Sequence, residues 1–324
     1  MFAIRMRRPE PADPLRCLDI SDGPPGDAPD DWVTVRLRAA SVNSADFAAM
    51  SGYGVVPKRL PTVLGSDGAG TDEDGNEVIV YPVVADPARG GGDPMLDPGL
   101  RMLSQGIDGT FAEQVRVPRA SLVPKPPGLS WEAAACLGTA WLTAYRMLFG
   151  RAAVRPGETI LVQGAGGGVA SALTVLARAA GVRVWVASRD PARGERAVAE
   201  LGAERAFLTG AKLPEPVDAV MDPVGGAVFP HSVAALRPGG RVVTAGAVGG
   251  AVVRLDLADL FVRSVSIVGS ALGSPEELAR LARMCAGQRV TVPIDSVWPL
   301  GQGREAFERM RQGQSFGKIV LLCT

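Results

Sequence analysis

Thr159-Ile-Leu-Val-Gln-Gly164-Ala-Gly-Gly-Gly168-Val-Ala-Ser-Ala-Leu-Thr-Val-Leu-Ala-Arg-Ala-Ala-Gly181-Val-Arg-Val-Trp-Val-Ala-Ser188 is the stretch that decides the fold. A short apolar run bounded by glycine reads as a buried strand, and the apolar segment after it ends on Gly181 as helices end on a C′ glycine. A second apolar run follows, so strand, turn, helix and strand fit in the roughly 30 residues of one βαβ unit. Gly164, Gly167 and Ala170 stand three residues apart. That spacing lets the turn tighten and lets the helix start approach a pyrophosphate, whose charge the free N–H groups and the helix dipole favour. The expected cradle is Gly164, Ala165, Gly166, Gly167, Gly168 and Val169, and its ligand a dinucleotide.

Downstream, Val217-Asp-Ala-Val-Met, Arg241-Val-Val-Thr-Ala and Val265-Ser-Ile-Val-Gly are mostly continuous apolar runs separated by helical segments. A parallel sheet covered on both faces requires such runs, so the fold class is α/β with a doubly wound sheet. Upstream the character changes. Residues 1–125 are rich in Pro, Gly and alternating runs such as Trp32-Val-Thr-Val-Arg-Leu-Arg-Ala, which read as a β-rich domain. Between Val84 and Gly109 the chain is too polar and broken for a core element and reads as a lobe. Ser130 is placed to N-cap a helix that runs to about Phe149. Arg304-Glu-Ala-Phe-Glu-Arg-Met-Arg reads as a late helix, and Lys318-Ile-Val-Leu-Leu as a terminal strand.

Lys+Arg and Asp+Glu both total 34 in 324 residues, so no field of one sign recruits nucleic acid or an anionic membrane, and a small molecule is the expected partner. No run approaches a signal-peptide core or a membrane span, and the expected location is cytoplasmic. Cys17, Cys136, Cys285 and Cys323 show no C-x-x-C spacing and read as small buried hydrophobes. His231 is the single histidine, on an expected helix, and reads as a structural or surface residue, which leaves no Ser-His-Asp or two-histidine metal mechanism.

An NAD site places an acidic residue about 20 positions beyond the glycines, to hold the ribose hydroxyls. Here that position is Ser188, followed by Arg189, with Arg193 one helical turn on. A hydroxyl beside guanidinium groups suits a 2′-phosphate, so the expected cofactor is NADP(H), while Asp190 keeps an NAD reading open.

Ser41-Val-Asn-Ser-Ala-Asp, Pro61-Thr-Val-Leu-Gly-Ser-Asp-Gly-Ala-Gly, Gly109-Thr-Phe-Ala-Glu-Gln, the Gly164 loop, Asp222-Pro-Val-Gly-Gly, Leu236-Arg-Pro-Gly-Gly-Arg and Phe316-Gly-Lys-Ile-Val-Leu follow one another along almost the whole chain. In that order they resemble the medium-chain dehydrogenases/reductases, in particular the zinc-free quinone oxidoreductase and zeta-crystallin group. The resemblance implies a GroES-like catalytic domain from residues 1–125 and 290–324, a Rossmann NADP(H)-binding domain from residues 126–289, and a homodimer paired through Rossmann edge strands. It also implies that Thr139, Thr143, Thr244, Gly246, Val268, Ser270 and Lys318 touch the cofactor.

Zinc-dependent members of that superfamily need Cys and His ligands. By motif, the first Cys position holds Asn43, the Gly-His-Glu motif reads Gly65-Ser66-Asp67, and the last Cys position holds Thr139; the lobe between Val84 and Gly109 has no cysteine. No metal is therefore expected. Without a Lewis acid, a conjugated acceptor such as a quinone, enone or enal is the easier hydride acceptor, because its charge spreads into an enolate. Asn43, Tyr53 and Asp46 are the candidate catalytic residues. Relatives use the Asn of this motif near the nicotinamide and often a Tyr after its Gly as donor; Tyr53 follows Gly52 directly, one residue earlier than usual, and reads either as that donor or as a lid residue. Asp46 also reads as a helix cap. Phe47, Trp141 and Phe261 suit an apolar substrate wall or core packing. Two other readings stay open: an enoyl reductase acting on CoA- or carrier-bound thioesters, with Lys58 or Arg59 on the phosphopantetheine, and a non-catalytic NADPH-binding sensor.

Overall fold

The computed structural model describes every residue except 25, 288, 289 and 324. The chain divides into two compact units. The first comprises Met1–Thr139 with the helix Pro275–Ala286 and the stretch from Ile294 onward; the second comprises Ala140–Gly273. The expected domain boundaries, at 125/126 and 289/290, differ from these at the first junction, and the second lies at residue 289, outside the described residues. Packing explains the difference at the first. The helix Trp131–Ala135 lies on the strands Val33–Ser41 and Asp67–Asp72, and Pro275–Ala286 lies on Leu122–Pro124, so both helices belong to the first unit's sheet.

That sheet runs Leu122–Pro124, Glu77–Val80, Asp67–Asp72, Val33–Ser41, Lys318–Leu322, Ile294–Pro299, with Gln114–Val117 also paired to Val33–Ser41. The last strand of the chain is antiparallel to Val33–Ser41, with Val320 opposite Ser41, and parallel to Ile294–Pro299. A smaller sheet joins Leu18–Asp22, Phe2–Met6 and Thr62–Val63. The core between them gathers Ile4, Met6, Leu37, Leu64 and Phe111 around Phe307, whose ring meets those of Phe47 and Phe111 edge to face at 5.5 and 5.8 Å. The lobe after Val84 consists of short 3-10 turns, Pro87–Gly90 and Pro94–Leu96, centred on the buried Asp97. Its carboxylate accepts from the Asp86 and Gly99 N–H groups and pairs with Arg89.

The second unit is a six-stranded parallel sheet in the order Arg205–Leu208, Arg183–Ser188, Thr159–Gln163, Val217–Asp222, Leu236–Thr244, Ser266–Gly269. This is the 3-2-1-4-5-6 order of a dinucleotide-binding fold, with its switch point beside Thr159–Gln163. The central strand is buried at every position, as its unbroken apolar run requires. Arg205–Leu208 escapes the sequence reading because it is a four-residue edge strand with exposed ends. Ser130 caps its helix through the Ala133 N–H at 3.2 Å, and the helical path continues to Arg151 through two π-helical segments, Leu137–Trp141 and Arg146–Arg151.

Phe307→Ala should lower unfolding free energy by about 3–5 kcal/mol, since the ring is fully enclosed and two aromatic neighbours lose their partner. Chemical denaturation of wild type and variant measures it.

Candidate active site

In the second unit the strand Thr159–Gln163 ends on Gly164, whose φ of +95° is open to glycine, and Gly166 at +77° continues the turn. Gly167 then N-caps the helix Gly168–Ala179 with extended backbone, and a Cβ added there would meet nothing within 4 Å. The helix start thus opens onto free space, as a phosphate cradle needs. Ser171 Oγ holds the Gly167 carbonyl at 2.7 Å.

Ser188 ends the neighbouring strand, 6% exposed, with its hydroxyl accepting from the Asp190 N–H at 3.2 Å. Asp190 caps the helix Pro191–Leu201, accepting from the Ala192 N–H at 2.9 Å. Arg189 is exposed, and Arg193 reaches back so that Nε donates to the Ala165 carbonyl at 3.2 Å. The glycine turn, the strand end Ser188, Arg189 after it and Arg193 in the first turn of the next helix therefore follow the ends of two adjacent strands on one side of the sheet.

The remaining expected positions of this unit sit at adjoining strand ends. Thr244 ends its strand and its carbonyl accepts from the Ser270 N–H at 2.9 Å, while Val268 lies in the edge strand opposite Val243. A Cβ on Gly246 would come within 2.1 Å of the Pro223 carbonyl, so this loop closes on the Asp222-Pro-Val-Gly-Gly loop only with glycine there. Asp222 fixes the latter by accepting from the Val224 and Gly225 N–H groups and the Ser232 hydroxyl. Gln163 donates to Ser232, and its amide also meets His231 Nδ1; His231 Nε2 donates to the Ala211 carbonyl. The only histidine is thus a structural link. Thr143 is buried in the helix Leu142–Tyr145.

The first unit holds a buried polar centre. Lys318 is 2% exposed, and its ammonium donates to the Val42 carbonyl at 2.8 Å, to Asn43 Oδ1, and to Asp67 Oδ2 at 3.4 Å. Asn43 Nδ2 donates to Asp67 Oδ2 at 2.8 Å and to the Ser41 carbonyl, and Ser41 Oγ donates to the same Asp67 oxygen. Asp67 Oδ1 has no hydrogen-bond partner among the described residues, and Gly138 lies so close that a Cβ would stand 2.8 Å from it. Ser66 Oγ and Thr139 Oγ1 are 3.0 Å apart.

Two of the expected site residues have their polar groups engaged inside the protein. Lys318, expected on the cofactor, has its ammonium engaged by Val42, Asn43 and Asp67. Asn43, expected as a donor near the nicotinamide, has both amide hydrogens and its oxygen engaged inside the protein. Asp46 is fully buried on the helix Ser44–Met50, with Oδ2 accepting from the Asn43 N–H at 2.7 Å. Burial raises its pKa from 3.8 to about 7, and the nearby Asp67 adds to the rise, against the Asn43 hydrogen bond and the Lys318 charge. Tyr53 is 75% exposed on the turn after that helix. Of the three aromatic candidates, Trp141 is wholly buried, Phe47 packs on Phe307, and Phe261 is 73% exposed. All four cysteines are buried, and burial pushes each thiol up to about 12. Sequence reasoning missed the pairing of Ser66 with Thr139, residues 73 positions apart.

Two family models match the chain: "Alcohol dehydrogenase GroES-like domain" over residues 29–127 and "Zinc-binding dehydrogenase" over residues 194–321. A solved NAD-dependent alcohol dehydrogenase superposes with TM-score 0.89 and 32% identity, covering 99% of each chain. The chain belongs to the medium-chain dehydrogenase/reductase superfamily. Its fold class is as expected, a GroES-like domain with a Rossmann domain. It is similar also to mouse quinone oxidoreductase, 28% identical over 311 residues and covering 90% of this chain and 88% of that one. The structure of the 2-octenoyl-CoA carboxylase reductase CinF, in complex with NADP and 2-octenoyl-CoA, matches with TM-score 0.89 and 26% identity, over 99% of this chain and 87% of that one. Superfamily membership makes the chain an oxidoreductase.

Asp46 gives a pH test. A carboxyl whose folded-state pKa exceeds its unfolded value binds its proton more tightly when folded. Its contribution is therefore present below about pH 4 and is lost as pH rises through about 7. Asp46→Asn keeps an acceptor for Asn43 and removes the charge. It should be more stable than wild type by a few kcal/mol at pH 8 and about equal near pH 3.5, below the unfolded pKa. Urea unfolding at the two pH values measures this, and a pH-independent difference would refute the raised pKa.

Proposed function

We propose that this oxidoreductase uses NADPH to reduce a conjugated carbonyl acceptor, a quinone, enone or enal, without zinc. The observation that carries the nucleotide half is the disposition of Ser188, Asp190, Arg189 and Arg193. The carboxylate that could hold a ribose diol instead caps its own helix, while Ser188 is followed directly by the exposed Arg189 and, in the first helical turn, by Arg193, a hydroxyl and two guanidinium groups close in sequence that suit a phosphate ester. The NADP complex of CinF supports this reading, and the NAD-dependent neighbour shares the same fold with the other nucleotide. When bound, the reduced nicotinamide supplies the hydride, while the protein's residues orient the reactants and stabilise charge.

Zinc, which the description of one matching family model implies, does not fit the residues present. Asn43, Ser66 and Thr139 offer an amide and two hydroxyls rather than thiolate or imidazole. Asp67, the one carboxylate among those positions, already accepts from a serine, an amide and an ammonium on one oxygen, and that ammonium opposes a dication. No group of three or more His, Cys, Asp or Glu among the described residues is arranged to hold a metal. A conjugated acceptor suits such a centre, because its negative charge spreads over several atoms and needs only hydrogen-bond donors.

The likeness to CinF favours a second reading, reduction of a CoA thioester. Lys58 and Arg59 are exposed beside a groove, as that reading wants, but the groove also carries Asp19, Asp22, Asp27 and Asp108 against Arg5 and Arg7. That balance of charge gives a phosphate little net attraction. The homodimer belongs to the same proposal: Ser266–Gly269 is an edge strand, and Leu257, Phe261 and Val262 on the helix that precedes it in the chain are more than 70% exposed.

The test is oxidation of NADPH and NADH by metal-stripped protein against quinones, enones, enals and crotonyl-CoA. Expected are turnover with NADPH and a conjugated ketone or quinone, no gain on adding zinc, and a loss of NADPH preference by tenfold or more in Arg189→Ala. Zinc-dependent turnover, or an NADH preference that Arg189→Ala leaves alone, would overturn it; turnover confined to crotonyl-CoA would select the thioester reading. NADPH bound tightly but never oxidised would leave a sensor. Separately, Val262→Glu should shift the protein from dimer to monomer in sedimentation velocity.

A further inference from the structure

Ser66 and Thr139 are the two polar side chains near the buried centre whose hydrogens its network does not already direct. Their oxygens are 3.0 Å apart and either could donate. Exposure decides between the two orientations. Ser66 is 1% exposed and has no other hydrogen-bond partner among the described residues. If Thr139 donated to Ser66, the serine hydrogen would be left buried without an acceptor, which is the expensive arrangement. If Ser66 donates to Thr139, the buried serine hydrogen is satisfied and the hydrogen left over belongs to the threonine, the less buried of the two. A hydroxyl that accepts a hydrogen bond is also a stronger donor in turn.

The backbone supports a built position. Thr139 lies in the π-helical segment Leu137–Trp141, a distortion that recurs at functional sites. Its neighbour Gly138 has no room for a side chain against Asp67 Oδ1, so the segment is fitted closely to the charged centre. Asn43 and Lys318 are already engaged, which leaves Thr139 as the polar group of this centre able to donate outward.

We infer that Thr139 is the catalytic hydrogen-bond donor to the carbonyl oxygen of the acceptor and that Ser66 is the residue that orients it. The inference rests on the reductase reading above, and it moves Thr139 from the cofactor to the substrate. In the step concerned, the acceptor's β-carbon takes a hydride, two electrons and one proton, from the reduced nicotinamide. The Cα=Cβ π pair shifts to form a new C=C bond to the carbonyl carbon, and the C=O π pair moves onto oxygen. Thr139 donates a hydrogen bond to that oxyanion and keeps its proton. Water then supplies the second proton to the α-carbon as the C=O bond re-forms.

The experiment compares wild type, Thr139→Val, Thr139→Ser and Ser66→Ala in steady-state turnover of NADPH with an enone series, alongside NADPH affinity by fluorescence titration. Thr139→Val should lose about a hundredfold in kcat. Its NADPH affinity should stay within twofold. Thr139→Ser should recover most of kcat, and Ser66→Ala should fall several-fold and show a weaker dependence of rate on carbonyl basicity. An active wild type whose Thr139→Val and Ser66→Ala variants keep full kcat would overturn the inference and leave the reductase reading standing. So would a Thr139→Val defect that lies in NADPH affinity alone. A wild type that reduces none of the acceptors would overturn both. Should Thr139→Val fail to fold, a Thr139→Ser variant at wild-type rate beside an unimpaired Ser66→Ala would still refute the orienting role of Ser66.

Discussion

The ammonium of Lys318 is the contact on which the first unit turns. A charge buried to 2% exposure must be met by acceptors, and here they come from residues some 275 and 251 positions earlier, Asn43 and Asp67. Satisfying it draws the last strand into register beside Val33–Ser41, so that Val320 faces Ser41 and Leu321 faces Ala40. The same contact fixes the loop that begins the helix Ser44–Met50, because Asn43 holds Lys318 with its side chain and Asp46 with its backbone N–H. Register of the terminal strand, direction of this helix and pose of the Tyr53 turn after it are thus consequences of one buried pairing. Removing either charged partner alone would leave the other buried and unmet, which is why such pairs break at greater energetic cost than they form.

The second unit is organised by backbone rather than by charge. Its glycine turn needs no side chain, only φ values open to glycine at 164 and 166 and a helix that starts without a Cβ in the way, the geometry a phosphate cradle requires. Around it, glycines let loops meet at separations no other residue tolerates: Gly225 and Gly226 against the carbonyls of Gly246 and Gly249, and Gly246 against Pro223. Asp222 then locks that meeting with three hydrogen bonds from a wholly buried position. Precision at these strand ends comes from what is missing as much as from what is present.

This division explains what the sequence made legible. The glycine turn, the central strands, the Ser130 cap and the terminal strand are local, so spacing and apolar runs are enough to read them. The edge strand Arg205–Leu208 is short and half-solvated, and it carries no such run. Composition changes near Pro124, whereas the helix that follows still packs on the earlier sheet, so the compact unit extends past the change in composition. The internal partners of Lys318 and Asn43 are illegible for another reason. A motif gives residue type and approximate place, while hydrogen-bond saturation depends on partners distant in sequence. Nothing near Lys318 in the chain announces Asp67, and nothing near Ser66 announces Thr139.

The solved NAD-dependent alcohol dehydrogenase and the NADP-bound CinF share this fold with the same TM-score, 0.89, while their nucleotides differ. Overall likeness therefore carries no information about the phosphate, and the choice has to lie in a few side chains after the second strand. Asp190 is the instructive one. By type it belongs to an NAD site, but its carboxylate accepts the first free N–H of the helix Pro191–Leu201, where the dipole also favours a negative charge. A ribose diol would have to compete with both interactions. Ser188 is bound in turn by the Asp190 N–H, so the strand end carries a polarised hydroxyl, followed in the chain by the exposed Arg189. The same aspartate that reads as an NAD signature in the sequence becomes, through its cap, part of the geometry that favours NADPH.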